Sequence, residues 1–273
     1  MCHRRTSHQY FAAGFSLLEF AIVIAIFAML VGSLLVPLGK QIEQQRYAET
    51  ERILASARDA LVSYAAANGR LPCPAINSSV GVEAFAAGGT KANGLCAKFD
   101  EGYLPAATLG FTPVDDQSFA VDAWGLIKNR IRYAVSNATI LSIPQVFTTA
   151  DGIKNAAANA IELVSSSNAF LYVCSDKPNP LTGPGCGTDA GGNPITPLAK
   201  GTAIAVIYSV GANAADTPSA TEGVNYFDDV TSRTSTLFVS RTHRSSGEVF
   251  DDVVTWIGPN LLIGRMIAAG RLP

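Results

Sequence analysis

The chain has 273 residues, enough for one large domain or two small ones, and its composition is close to that of a globular protein. Charged residues are sparse at 15% and the net charge is −2, so bulk charge excludes a general nucleic-acid binder. No internal repeat is visible.

The first fourteen residues carry Arg4 and Arg5 and no acid. The run from Phe15 to Leu38 then holds one formal charge, Glu19, and Lys40 follows it. As a helix this run would be roughly 36 Å long. That is enough to cross a hydrocarbon core of about 30 Å with some tilt. The basic flank keeps the N-terminus in the cytoplasm and places the bulk of the chain outside. A secretory signal fits less well, because the apolar run is too long and no small-x-small cut follows it. Glu19 is the anomaly. An unpaired carboxylate at the edge of a membrane helix costs on the order of a few kcal/mol, which makes it a functional candidate.

The stretch Gly14-Phe15-Ser16-Leu17-Leu18-Glu19 resembles the cleavage and methylation site of type IV prepilins and of the pseudopilins of type II secretion. The resemblance implies that a prepilin peptidase of the inner membrane cuts between Gly14 and Phe15 and that Phe15 is then N-methylated. It implies that Glu19 answers the N-terminal amine of a neighbouring subunit in a filament. The implied fold is α+β and pilin-like: a long N-terminal spine helix, membrane-spanning in its first half, packed on an antiparallel β-sheet. The expected organisation is a cytoplasmic leader peptide (1–14), a transmembrane and filament-core helix (15–38), an amphipathic continuation (39–67) and a periplasmic globular domain (68–273). The expected location is the inner membrane, single-pass, and then the filament. The partners implied are other pilin or pseudopilin subunits, the peptidase and an assembly platform. The size of the domain favours a minor subunit. The runner-up is a membrane-anchored periplasmic binding module that does not polymerise.

Residues 15 to about 67 read as one helix, interrupted at Pro37 and Gly39, where a proline removes a hydrogen bond and kinks or opens the turn. After Lys40 the pattern is amphipathic. Leu54, Ala57, Leu61 and Tyr64 share a core-facing stripe, and Glu43, Glu49, Glu51, Arg52, Arg58 and Asp59 form the polar side. Asn68-Gly69, with Pro72 beyond, ends the helix.

Cys2 belongs to the leader. Cys73, Cys96, Cys174 and Cys186 remain, an even number in a domain expected to face an oxidising space. Three pairings are possible. Cys73–Cys96 with Cys174–Cys186 is preferred, since each closes a local loop rich in Gly and Pro. Zinc is disfavoured by the absence of close C-x2-4-C spacing.

Residues 69–130 are rich in turns, and Leu-Pro and Asp122-Ala123-Trp124-Gly125 resemble the loop between helix and sheet in pseudopilin-like proteins. Trp124 is read as a core anchor. Strands are expected at 131–135, 170–174, 202–210 and 236–241, with a second helix near 156–165. Ser209-Val210-Gly211-Ala212-Asn213 is similar to the start of the calcium loop of major pseudopilins; Asp216, Glu222, Asn225, Asp228 and Asp229 follow it, and Asn213, Asp216, Asp228 and Asp229 are the candidate oxygen donors. Asn213 stands where that loop has an acid, so a solvated loop is the better reading, with no cofactor expected and calcium the lesser one. At the C-terminus, Val253, Val254, Ile257, Leu261, Leu262 and Ile263 suggest a broken helix, with Asp251 and Asp252 at its N-terminus as caps. No catalytic constellation is found: His243 between Arg241 and Arg244 makes no triad pattern, and there is no phosphate loop or nucleophile elbow. Arg233, Arg241 and Arg244 read as a solvated face. The expectation is therefore a structural protein, not an enzyme.

Overall fold

The computed structural model describes residues 16–157, 171–179, 185–214, 220–225, 236–242 and 250–272, the side chains of 32–38 and 200–201 excepted. The chain divides into two units, Met1–Gln45 and Arg46–Pro273. The first helix, α1, runs Leu17–Asn68, 52 residues. Its backbone is helical through Pro37 and Gly39, which corrects the expected interruption. A single lost hydrogen bond in a helix of this length leaves the flanking turns intact.

Among the described residues no helix is long and apolar enough to cross a membrane. The run Phe15–Leu38 is described only in part, because Phe15 and the side chains of 32–38 fall outside the described residues. Within the first unit Leu17, Phe20, Ile24, Phe27 and Met29 are exposed.

In the second unit α1 is amphipathic as the periodicity predicts. Ile53, Leu54, Ala57, Leu61, Val62 and Ala65 are buried, and Glu49, Glu51, Arg52 and Asp59 are exposed. The helix stops at the expected place. Gly69 takes a φ of 73° and its N–H donates to the Ala65 carbonyl at 2.8 Å, the left-handed cap that glycine tolerates without a Cβ penalty.

The remaining elements follow in order. They are β1 (Gly102–Tyr103), α2 (Ala106–Leu109), β2 (Arg132–Val135), α3 (Gly152–Ala157), β3 (Leu171–Cys174), β4 (Pro197–Ala203), β5 (Ala205–Ser209), β6 (Leu237–Val239), β7 (Val253–Ile257) and α4 (Pro259–Ala268). The fold class is α+β with an antiparallel sheet. That sheet has the order β1-β2-β5-β7. A second sheet, not foreseen from the sequence, has the order β4-β3-β6, and its β3–β6 pair is parallel. Of the helix expected near 156–165, the described part ends at Ala157 and the rest falls outside the described residues.

The strand expected over 202–210 is two strands in two sheets. The switch is at Ile204, whose N–H donates to the Ile257 carbonyl at 2.8 Å and whose carbonyl accepts from Ser136 at 2.8 Å. The nearly continuous apolar run is explained by burial of the four-stranded sheet on both faces. Tyr133, Val135, Ala205, Ile207 and Ile257 join the core formed with α1. The alternate residues Ala134, Val206 and Tyr208 join a second core with Leu171, Val173 and Phe238. This period of two puts the three-stranded sheet on the face away from α1.

The C-terminal expectation is corrected in its first half. Val253–Ile257 is a strand, paired antiparallel with β5 from Ser209↔Val253 to Ala205↔Ile257. The segment is Val-Val-Thr-Trp-Ile, β-branched and aromatic, and strand preference overrides a helical spacing of only a few positions. The helix α4 starts with Pro259 in its first turn, where the missing N–H is harmless. Two disulfides, Cys73–Cys96 and Cys174–Cys186, join the preferred pairs, with Cα–Cα distances of 5.3 and 5.6 Å.

Candidate functional site

Among the described residues two places carry chemistry that packing does not require. The first is the start of α1. Gly14 and Phe15 lie outside the described residues. The Ser16 backbone N–H donates to Glu19 Oε2 at 3.1 Å, and the Glu19 backbone N–H donates to Ser16 Oγ at 3.2 Å. The Phe20 N–H donates to the Ser16 carbonyl at 3.2 Å, the first intrahelical bond. This reciprocal pair is a capping box, in which a Ser at the N-cap and a Glu three residues on satisfy two otherwise unpaired donors. The spacing S-x-x-E is present in the sequence; reading Glu19 only as a charge awaiting a partner passed over it.

The second is a group of buried acids. Antiparallel pairing of β5 with β7 brings the turn after Ser209 beside the residues before Val253. Asp251 and Asp252 sit there, 3% and 7% exposed, and Glu222 joins them from a short 3-10 turn, Glu222–Val224, at 2%. One carboxylate oxygen from each lies within 4.8 Å of the others. Asp251 and Asp252 therefore precede a strand and cap no helix, which corrects the expectation from the sequence.

The donors around the group are specific. Asn213 gives its backbone N–H to Asp251 Oδ2 at 2.9 Å and its side-chain amide to both Glu222 oxygens at 3.2 and 3.1 Å. Asn225 donates to Asp252 Oδ2 at 2.7 Å and also pairs with the backbone of Val239 in β6. Burial pushes the Asp251 carboxyl up to about 7; the Asn213 N–H opposes this, and the Glu222 carboxyl adds to it. Burial also raises Asp252 well above the ordinary carboxylate range, against the Asn225 amide, with the charges of Glu222 and Asp251 raising it and that of Arg132 lowering it. These directions follow from desolvation of a charged group and from like charges sharing a site.

Such a group can hold a proton between carboxyls, or offer oxygens to a hard cation. Of the expected calcium donors, Asp216, Asp228 and Asp229 lie outside the described residues. Asn213 faces the acids with its N–H groups, so in this arrangement it serves as a donor to them. Gly211 is held against the group: with φ at 70°, an added Cβ would stand 2.4 Å from the Asp251 carbonyl oxygen and 2.5 Å from its Cγ.

A polar chain ties this region to α1. The Asp122 carboxylate accepts N–H bonds from Trp124 at 2.8 Å and Gly125 at 3.3 Å, the Asn129 amide at 2.9 Å, and the Ser209 hydroxyl at 2.5 Å. Burial raises its pKa, and these hydrogen bonds work in the opposite direction. The Ala123 N–H donates to Thr50 Oγ1 of α1 at 3.2 Å. Trp124 is half-buried and meets Tyr47 edge-on, 5.1 Å between ring centroids, as an anchor on the helix. Of the basic residues singled out, Arg241 pairs with Asp176 at 3.3 Å. Arg233, Arg244 and His243 lie outside the described residues.

The chain was compared with family models, with curated proteins and with solved structures, and none matches.

Proposed function

We propose that the chain is a structural subunit, a minor pilin or pseudopilin, assembled through its N-terminal helix into a filament of the type IV pilus or type II secretion class. The observation that carries this reading is the stretch Gly14-Phe15-Ser16-Leu17-Leu18-Glu19, followed by an apolar run that contains no further charge as far as Leu38. Support comes from the start of α1 at Leu17 and from the exposed apolar side chains between Leu17 and Val31, which need a cover of lipid or of neighbouring helices. The two disulfides fit a domain facing an oxidising compartment. In this reading the leader is removed, the run Phe15–Leu38 rests in the inner membrane and then in the filament core, and the work of the protein is mechanical, with no catalysis and no cofactor.

The test is the mass of the N-terminus in cells with and without a prepilin peptidase. Processing to Phe15 that depends on the peptidase is expected, and Gly14→Ala blocks it. Glu19→Ala is expected to be cut yet to enter filaments poorly. An uncut N-terminus in peptidase-bearing cells overturns the reading.

A further inference from the structure

We propose that Ser16 is a positioning residue for Glu19: the capping box presets the carboxylate that a neighbouring subunit's amine must find. The inference rests on the filament reading above. Its own observation is the reciprocal pair, Ser16 N–H to Glu19 Oε2 at 3.1 Å and Glu19 N–H to Ser16 Oγ at 3.2 Å.

A glutamate on an exposed first turn has three rotatable side-chain torsions, and ordering it on contact is an entropic cost of assembly. The box meets that cost within the subunit, because the Ser16 N–H already holds one carboxylate oxygen against the helix end. A carboxylate has two oxygens and about four lone-pair positions, so the second oxygen still accepts an ammonium. The partial positive charge of the helix N-terminus also attracts an acidic side chain at this position. Both members of the box lie after the proposed cut between Gly14 and Phe15, so removal of the leader leaves it whole.

Ser16→Ala deletes the hydroxyl acceptor and loosens Glu19 without touching its charge. Ser16→Thr keeps the acceptor. The experiment measures N-terminal mass and the fraction of subunit recovered in purified filaments for wild type, Ser16→Ala, Ser16→Thr, Glu19→Ala and the double variant Ser16→Ala/Glu19→Ala. Expected are normal cutting throughout, a several-fold fall in incorporation for Ser16→Ala, recovery with Ser16→Thr, and no further loss when Ser16→Ala is added to Glu19→Ala. The last comparison separates positioning from general helix support, because two residues acting through one contact are not additive. Incorporation of Ser16→Ala at the wild-type level overturns the proposal. So does additive loss in the double variant, or failure of Ser16→Ala to be cut. Absence of the wild-type protein from filaments refutes the filament reading instead.

Discussion

The backbone N–H of Asp251 donates to Glu222 Oε1 at 3.0 Å, which places two buried carboxyl groups side by side, with Asp252 adjacent in the chain. The folded protein therefore prefers to keep a proton here. Asp251 is raised to about 7, whereas an unfolded aspartate titrates near 3.9. The stability this contributes is fully present below about pH 4 and is lost as the pH rises through about 7. Stability, read as the thermal midpoint, is therefore expected to fall between pH 5 and pH 8. Asp251→Asn, which cannot ionise, should flatten that slope. A midpoint that stays level or climbs over this interval, or an equal slope in the variant, would count against the assignment.

Arg70 and Glu83 form a two-pronged ion pair at 2.7 and 2.9 Å, each side chain 3% exposed. Arg70 also donates to the Tyr64 hydroxyl at 3.0 Å, and Glu83 accepts the Cys73 N–H at 3.3 Å. The pair fastens the end of α1 to the loop that carries the first disulfide. Removing one partner leaves a desolvated charge, so Glu83→Ala is expected to cost roughly 3–5 kcal/mol in urea unfolding. Arg70→Met with Glu83→Leu should cost clearly less than the two single changes summed, since no charge is left unpaired. Additive losses would show that the two residues act separately.

Arg271 caps the same C-terminal end of the helix. Its Nε donates to the Ala66 carbonyl at 2.9 Å and its Nη2 to the Ala67 carbonyl, two acceptors with no partner inside the last turn. A cation at this end also offsets the helix dipole. Because the site is exposed, Arg271→Ala is expected to lower stability by only about 1 kcal/mol. Hydrogen exchange gives the sharper readout, with faster exchange confined to the last turns of α1 and to α4. Unchanged protection there would remove the capping role.

Much of the second unit was legible residue by residue. Leu54, Ala57 and Leu61 repeat at helical spacing and are buried on one face. Gly69 ends the helix because only a residue without a Cβ turns left there easily. The cysteines pair across separations of 23 and 12 residues, within loops that the turn residues already mark. The acid group was not legible. Glu222, Asp251 and Asp252 have no common spacing; the pairing of Ser209 with Val253 sets the two aspartates beside the turn after Ser209, and Glu222 joins them through bonds from Asn213 and the Asp251 N–H. The capping box at Ser16 was legible in its spacing, since it needs four consecutive residues and nothing else.

By itself the sequence determined what depends on neighbours along the chain: the extent of α1, its polar and apolar faces, its glycine stop, the local disulfides and the S-x-x-E start. Each is set by contacts a few residues apart or by a short loop. The tertiary structure decided what depends on distant strands meeting. It divided the apolar run 202–210 between two sheets at Ile204 and turned Val253–Ile257 from a helical reading into the partner of β5. It also gathered three acids that the chain spreads over thirty positions. A run of apolar residues records that burial occurs, but strand pairing is a long-range choice, and only the completed sheet says which face each side chain enters.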